Sequence, residues 1–173
     1  MPFTRRQLPH WIPEEADISV TWRLAGPIPM CAGSFLAQDE RLDAGRSGPL
    51  WLADARVASV VMGALLYGEA GRGLYELHAW VVMPNHVHAI FQPRGEMADI
   101  MRWLKGRTAR VANRILGRSG AAFWQDESFD HWARSQEELA GLVEYVENNP
   151  VKAGLVSAKE LWPWSSASQK LAG

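Results

Sequence analysis

The chain has 173 residues, 47% of them hydrophobic and 21% charged, which suits one compact core, so a single domain over 1–173 is expected. With 18 Lys and Arg against 19 Asp and Glu, the net charge of -1 gives no sign of a polyanionic partner, and any nucleic-acid case must rest on local clusters. The single cysteine, Cys31, excludes an internal disulfide and a thiolate zinc knuckle. No convincing signal sequence follows Arg5 and Arg6, and the best apolar run, 58–67, is only about half the length a bilayer requires. A cytoplasmic protein without a membrane partner is therefore expected.

In chain order, Asp17 to Ala25 alternates with period two and predicts a first strand, stopped by the Gly-Pro-Ile-Pro that follows. Residues 26–50 carry three prolines and four glycines without periodicity and predict an irregular loop. From Leu52 to Gly68 the spacing of Val57, Val60, Val61, Ala64 and Leu65 predicts a helix. Tyr75 to Met83 and His86 to Gln92 predict two strands joined by a tight Pro84-Asn85 turn. Met97 to Leu116 predicts a long basic helix with an apolar stripe through Met97, Ile100, Met101, Leu104, Val111 and Ile115. Ser128 to Arg134 predicts a strand, Ser135 with Glu138 a capping box, and Glu137 to Asn148 a helix stopped by Pro150. An irregular tail over 157–173 includes Trp162 and Trp164, which could pack back or stack on unpaired bases. This order predicts an α+β fold: a ferredoxin-like antiparallel sheet with helices on one side and an added C-terminal helix.

His86-Val87-His88 is the sharpest local feature, because a strand sends both imidazoles to one face and Val87 to the other. Two such rings can share a divalent metal; the plainer alternative is a half-buried histidine pair. Two ligands leave coordination incomplete, and a further group must come from elsewhere. Tyr145 and Asn149 lie four residues apart and project from one side of the third helix, bringing a hydroxyl and an amide oxygen together. Tyr145 also reads as an amphipathic boundary residue, and Asn149 before Pro150 as a helix stop. Arg102, Lys105, Arg107, Arg110, Arg114 and Arg118 follow one another with no acidic residue between Asp99 and Asp126, a pattern that suits phosphate backbones or a solvated helix face. Trp103 and Thr108 between them could add stacking or hydrogen bonds.

With these pieces in place, the chain resembles the single-tyrosine HUH transposases, in particular the REP-associated tyrosine transposase branch. The likeness is carried by YELHAWVVMPNHVHAIFQP, WLKGRTARVANRILGR, FWQDESFDHWARS and LVEYVENNPVKAGLV, in that order. The resemblance implies a metal-dependent endonuclease and strand transferase acting on single-stranded DNA near hairpins through a 5′-phosphotyrosine. It implies His86 and His88 as metal ligands, Tyr145 as the nucleophile carried by the C-terminal helix, and Asn149 as the third ligand. The implied ion is Mg²⁺ or Mn²⁺, with imidazole ligands favouring Mn²⁺. The implied partner is single-stranded or hairpin DNA, with Arg102, Lys105, Arg107, Arg110 and Arg114 as candidate DNA-binding residues, and monomer and homodimer both remain open. His131 in FDHW is expected to be structural. Glu144 and Glu147 flank Tyr145 and either weaken phosphate binding or point away into solvent. The alternatives are a hairpin-binding module or repressor that does not cleave, and a metal hydrolase unrelated to DNA that uses His78 or His131 beside the pair.

Overall fold

A computed structural model of the chain describes residues 15–26 and 48–171. The loop expected at 26–50 therefore lies mostly outside the described residues, and so does Cys31. The elements are β1 (Ile18–Arg23), a 3₁₀ turn at Trp51–Ala53, α1 (Ala55–Ala70), β2 (Tyr75–Val82), β3 (His86–Pro93), α2 (Met97–Ile115), β4 (Phe129–Trp132), α3 (Gln136–Lys152), a 3₁₀ turn at Lys159–Leu161 and α4 (Ser166–Leu171). The strands form one sheet in the order β2-β3-β1-β4, with every neighbouring pair antiparallel. This is the ferredoxin-like topology expected from the element order.

The two faces of the sheet have different partners. Ile18, Val20 and Trp22 of β1 join Val87, Ala89 and Phe91 of β3 in a core closed by Val57, Val61 and Leu65 of α1 and by Ile100 and Leu104 of α2. On the other face Ala79, Val81 and Ile90 pack against Val146, Leu142 and Val143 of α3. Helices α1 and α2 thus share one side, and α3 is the added helix on the opposite side.

β2 does not alternate uniformly. The register shifts between Leu77 and Ala79, so Tyr75 and Leu77 face α1 and α2 on one side of the bulge, and Trp80 and Val82 do so on the other. The extra residue, His78, is bonded to Asp17 at 2.7 Å. One residue's slip would otherwise have exposed half of this strand's apolar set.

Several boundaries differ from the sequence expectation for local reasons. Helix α1 begins at Ala55 because the Asp54 carboxylate caps it by accepting from the Arg56 amide. It runs through Gly68, where a Cβ would collide with the Tyr75 hydroxyl; that hydroxyl donates to the Leu65 carbonyl at 2.8 Å. Ser135 caps α3 as expected, but Glu138 does not close a reciprocal box: its carboxylate accepts from the Arg134 amide and lies 2.7 Å from His131.

Pro150 does not stop α3, which continues to Lys152. Proline there removes only the hydrogen bond that its amide would have given to the Val146 carbonyl, and the helix ends within one turn. The tail is less irregular than expected. Val82 donates to the Trp164 carbonyl at 2.8 Å, Trp80 to the Ser166 hydroxyl at 3.1 Å, and the Trp162 indole to the Val82 carbonyl at 3.0 Å. Trp162 and Trp164 thus fasten the tail along the outer edge of β2, protecting that edge from other strands.

Candidate metal and nucleophile site

Even-numbered residues of β3 face α3, and the pair that opens the strand is deeply buried: His86 is 0% and His88 1% exposed. Their Nε2 atoms stand 3.0 Å apart, with the ring planes perpendicular. Each ring is also held from behind. His86 Nδ1 lies 2.6 Å from Asn85 Oδ1, and His88 Nδ1 lies 2.7 Å from Thr21 Oγ1.

In the tautomer that donates from Nδ1 to Asn85 Oδ1, His86 turns an Nε2 lone pair toward His88. When Thr21 Oγ1 accepts in the same sense, two lone pairs meet at 3.0 Å, an arrangement that a shared cation satisfies. Two nitrogen ligands in adjacent positions around a cation, each at about 2.1 Å, stand about 3.0 Å apart. Burial also pushes the His86 imidazole down to about 3, which keeps it in the neutral, ligating form. The residues present therefore fit a divalent metal. Among the described residues there is no cluster of three His, Cys, Asp or Glu side chains.

Tyr145 comes from α3 with its ring centroid 6.3 Å from that of His88. Asn149 follows one turn later on the same side and is fully buried. Helix α3 thus continues where a stop was one reading of Asn149. A further residue joins them: the Lys152 ammonium lies over the Tyr145 ring, 4.3 Å from its centroid. A cation so placed is attracted to the electron-rich face of the ring. The two acidic neighbours behave differently from each other. Glu144 is exposed and bonds Asn148 and Lys159, whereas Glu147 is only 3% exposed and ties Lys170 and the Ser166 hydroxyl of α4. Glu147 therefore anchors the tail and does not lie in solvent.

The structure does not bring the basic helix to this site. α2 lies on the opposite face of the sheet, and its cations have separate environments. Lys105 donates to the carbonyls of Gln125, Asp126 and Glu127 at 2.9, 3.0 and 3.2 Å, and burial lowers its pKa to about 8 against the raising effect of Asp126 and Glu127. Its role in the fold is to fasten the segment before β4. Arg102 pairs with Asp99, and Arg107 lies over the rings of Tyr67 and Trp103. Arg110 and Arg114 are exposed. Thr108 is buried, donates to the Leu104 carbonyl and accepts from the Trp124 indole, so it faces inward. His131 is held by Glu138 and His78 by Asp17, each apart from the His86–His88 pair.

Fold and site together define a ferredoxin-like protein in which paired imidazoles on a central strand face a tyrosine-bearing helix. A family model described as "Transposase IS200 like" matches residues 62–149, half of the chain, and the chain belongs to that family. It is 30% identical over 100 residues to the REP-associated tyrosine transposase of Escherichia coli (strain K12), covering 57% of this chain and 58% of that protein. It is also 30% identical over 104 residues to a putative REP-associated tyrosine transposase of Haemophilus influenzae (strain ATCC 51907 / DSM 11121 / KW20 / Rd), covering 53% of this chain and 58% of that protein. The chain thus spans 58% of the length of each of these relatives. A solved structure described as the REP-associated tyrosine transposase bound to a REP hairpin superposes with a TM-score of 0.68 at 20% identity, over 96% of this chain and 85% of that one. That likeness is one of fold. No helix among the described residues is long and apolar enough to cross a membrane.

Proposed function

We propose that the protein is a DNA nicking and strand-transfer enzyme that acts on single-stranded DNA beside hairpins. The observation that carries this reading is the 3.0 Å approach of two buried imidazole nitrogens within ring-contact distance of Tyr145. His86, His88 and Asn149 would hold a divalent cation, Mg²⁺ or Mn²⁺, which when bound would supply a Lewis acid for the scissile phosphate.

The Tyr145 phenolic oxygen attacks phosphorus, a P–O bond to tyrosine forms and the bond to the 3′ oxygen breaks. The phenol gives up its proton to solvent and the departing 3′ oxygen takes one up, so the products are a 5′-phosphotyrosine and a free 3′-hydroxyl. A free phenol has a pKa near ~10, which makes it a weak nucleophile at neutral pH. The Lys152 ammonium over the ring favours the phenolate. Because the phosphodiester energy is retained, another 3′-hydroxyl can reverse the step, giving strand transfer instead of hydrolysis.

The test is a denaturing gel of labelled, hairpin-containing single-stranded DNA incubated with the protein and Mn²⁺ or chelator. A protein–DNA adduct is expected with Mn²⁺ and none with chelator. Binding without cleavage under every metal would replace this reading with that of a non-cleaving hairpin-binding protein.

Arg110 and Arg114, on the side of the sheet away from the histidines, fit the role of holding the hairpin and not the cleaved strand. Reversing both charges is expected to reduce the slope of log affinity against log salt by about two, since each phosphate contact contributes about one. Salt titrations by fluorescence anisotropy measure this, and an unchanged slope would remove them from the interface.

A further inference from the structure

α3 packs chiefly over β2 and β3; at β4 its first turn reaches His131 through Glu138, while Arg23 and Phe129 on the same face stay only partly buried. The strand register fixes what that half-face presents beside the histidines. Arg23 is directly opposite His86, and Thr21 is opposite both His88 on one side and Phe129 on the other. Adjacent strands lie about 4.8 Å apart, so Arg23 is one strand and Phe129 two strands away from the imidazole pair, all on one face.

The two side chains form a unit. The Arg23 guanidinium carbon lies 5.6 Å from the Phe129 ring centroid, and its Nε donates to Gln125 Oε1 at 2.8 Å. Neither terminal guanidinium nitrogen is bonded to a described residue. Burial lowers the Arg23 pKa while Glu127 acts in the opposite sense, and the group remains a cation. A partly desolvated guanidinium fork, braced on an aromatic ring and beside a metal-ligand pair, matches the geometry of a phosphate. The half-buried Phe129 ring offers a platform for a base.

We propose that unpaired DNA enters the site across the β1–β4 half-face, with Arg23 holding the phosphate next to the scissile one and Phe129 stacking a base of the same strand. This rests on the reading of the protein as an enzyme of single-stranded DNA. The occupant is a single strand and not a duplex, because an unpaired base is free to turn onto a ring set in a sheet, whereas a base inside a duplex is already stacked between its neighbours.

The test measures, in the Tyr145→Phe chain, anisotropy binding of a hairpin carrying an unpaired flank and of the same hairpin without one. Arg23→Gln is expected to weaken binding of the flanked hairpin about tenfold and to reduce its salt slope by about one. Phe129→Leu is expected to weaken it by roughly 5- to 100-fold. Phe129→Trp should retain most of the affinity, and Arg23→Lys should keep the slope while losing part of the affinity, which distinguishes contact from collapse of the fold. Binding of the blunt hairpin should change less than twofold. Flanked-hairpin affinity within twofold of the parent in both Arg23→Gln and Phe129→Leu, or equal loss for the two hairpins, would overturn the proposal. Since no cleavage is read, a missing Tyr145 adduct would sink the nucleophile assignment and leave this one standing. An intact adduct with indifferent Arg23 and Phe129 variants would do the reverse.

Discussion

Tyr145→Phe is expected to abolish the covalent protein–DNA adduct and to lower strand cleavage by a factor on the order of 10⁴ or more, while leaving DNA binding within a few-fold of wild type. The substitution removes one oxygen from a half-buried ring that would keep its packing against the buried cluster of Ala79, Val81, Ile90 and Val146, so the fold should survive. Thermal melting and anisotropy check these conditions, and denaturing gels read the adduct. Lys152→Met should keep the adduct but slow its formation by roughly 10- to 30-fold, because the cation over the ring favours phenolate without forming a bond. The deficit should shrink as pH rises, since hydroxide then performs the deprotonation that Lys152 assists. Equal rates for Lys152→Met and wild type at neutral pH would make the lysine a packing residue only.

The second large effect concerns the imidazoles. His86→Ala and His88→Ala should each eliminate specific Mn²⁺ binding, read by calorimetry or by the spin signal of free Mn²⁺, and with it metal-dependent cleavage. Thr21→Val tests the geometry more finely. It preserves shape in a buried position and removes only the hydroxyl that orients His88, and should weaken metal binding by about 10- to 100-fold. Metal affinity unchanged in Thr21→Val and in both alanine variants would mean that the 3.0 Å pair is a buried hydrogen-bonded couple and the metal lies elsewhere.

What the sequence revealed and what it hid divide along physical lines. The histidine pair was legible because strand periodicity is a local rule: His86 and His88 must share a face wherever the strand lies. The same holds for Tyr145 and Asn149 on a helix. Lys152 was hidden because Pro150 reads as a stop, and only the observed continuation of α3 carries the helix a full turn beyond Asn148 to bring that ammonium over the ring. Thr21 and Arg23 were hidden for a different reason. Their positions beside the histidines depend on β1 pairing with β3 across more than sixty residues, and no local pattern specifies that register.

The basic helix shows the limit from the other side. Its charge run was plain, but which face of the sheet α2 covers is a property of the whole topology, and that face turned out to be the one away from the histidines. Lys105 was indistinguishable in sequence from its neighbours, yet three carbonyls of the segment before β4 claim its ammonium. Glu147 likewise read as an acid that either repels phosphate beside the tyrosine or points into solvent, while its actual partners, Ser166 and Lys170, lie in the tail.

The most direct test of the central claim is to digest the adduct formed with labelled single-stranded DNA and Mn²⁺ and to identify the modified peptide by mass spectrometry. The account predicts one peptide, containing Tyr145, carrying a nucleotide through its 5′ phosphate, with a free 3′-hydroxyl on the released strand. A nucleotide on Tyr67, Tyr75 or a serine, or cleavage leaving a 5′ phosphate with no protein attached, would contradict it.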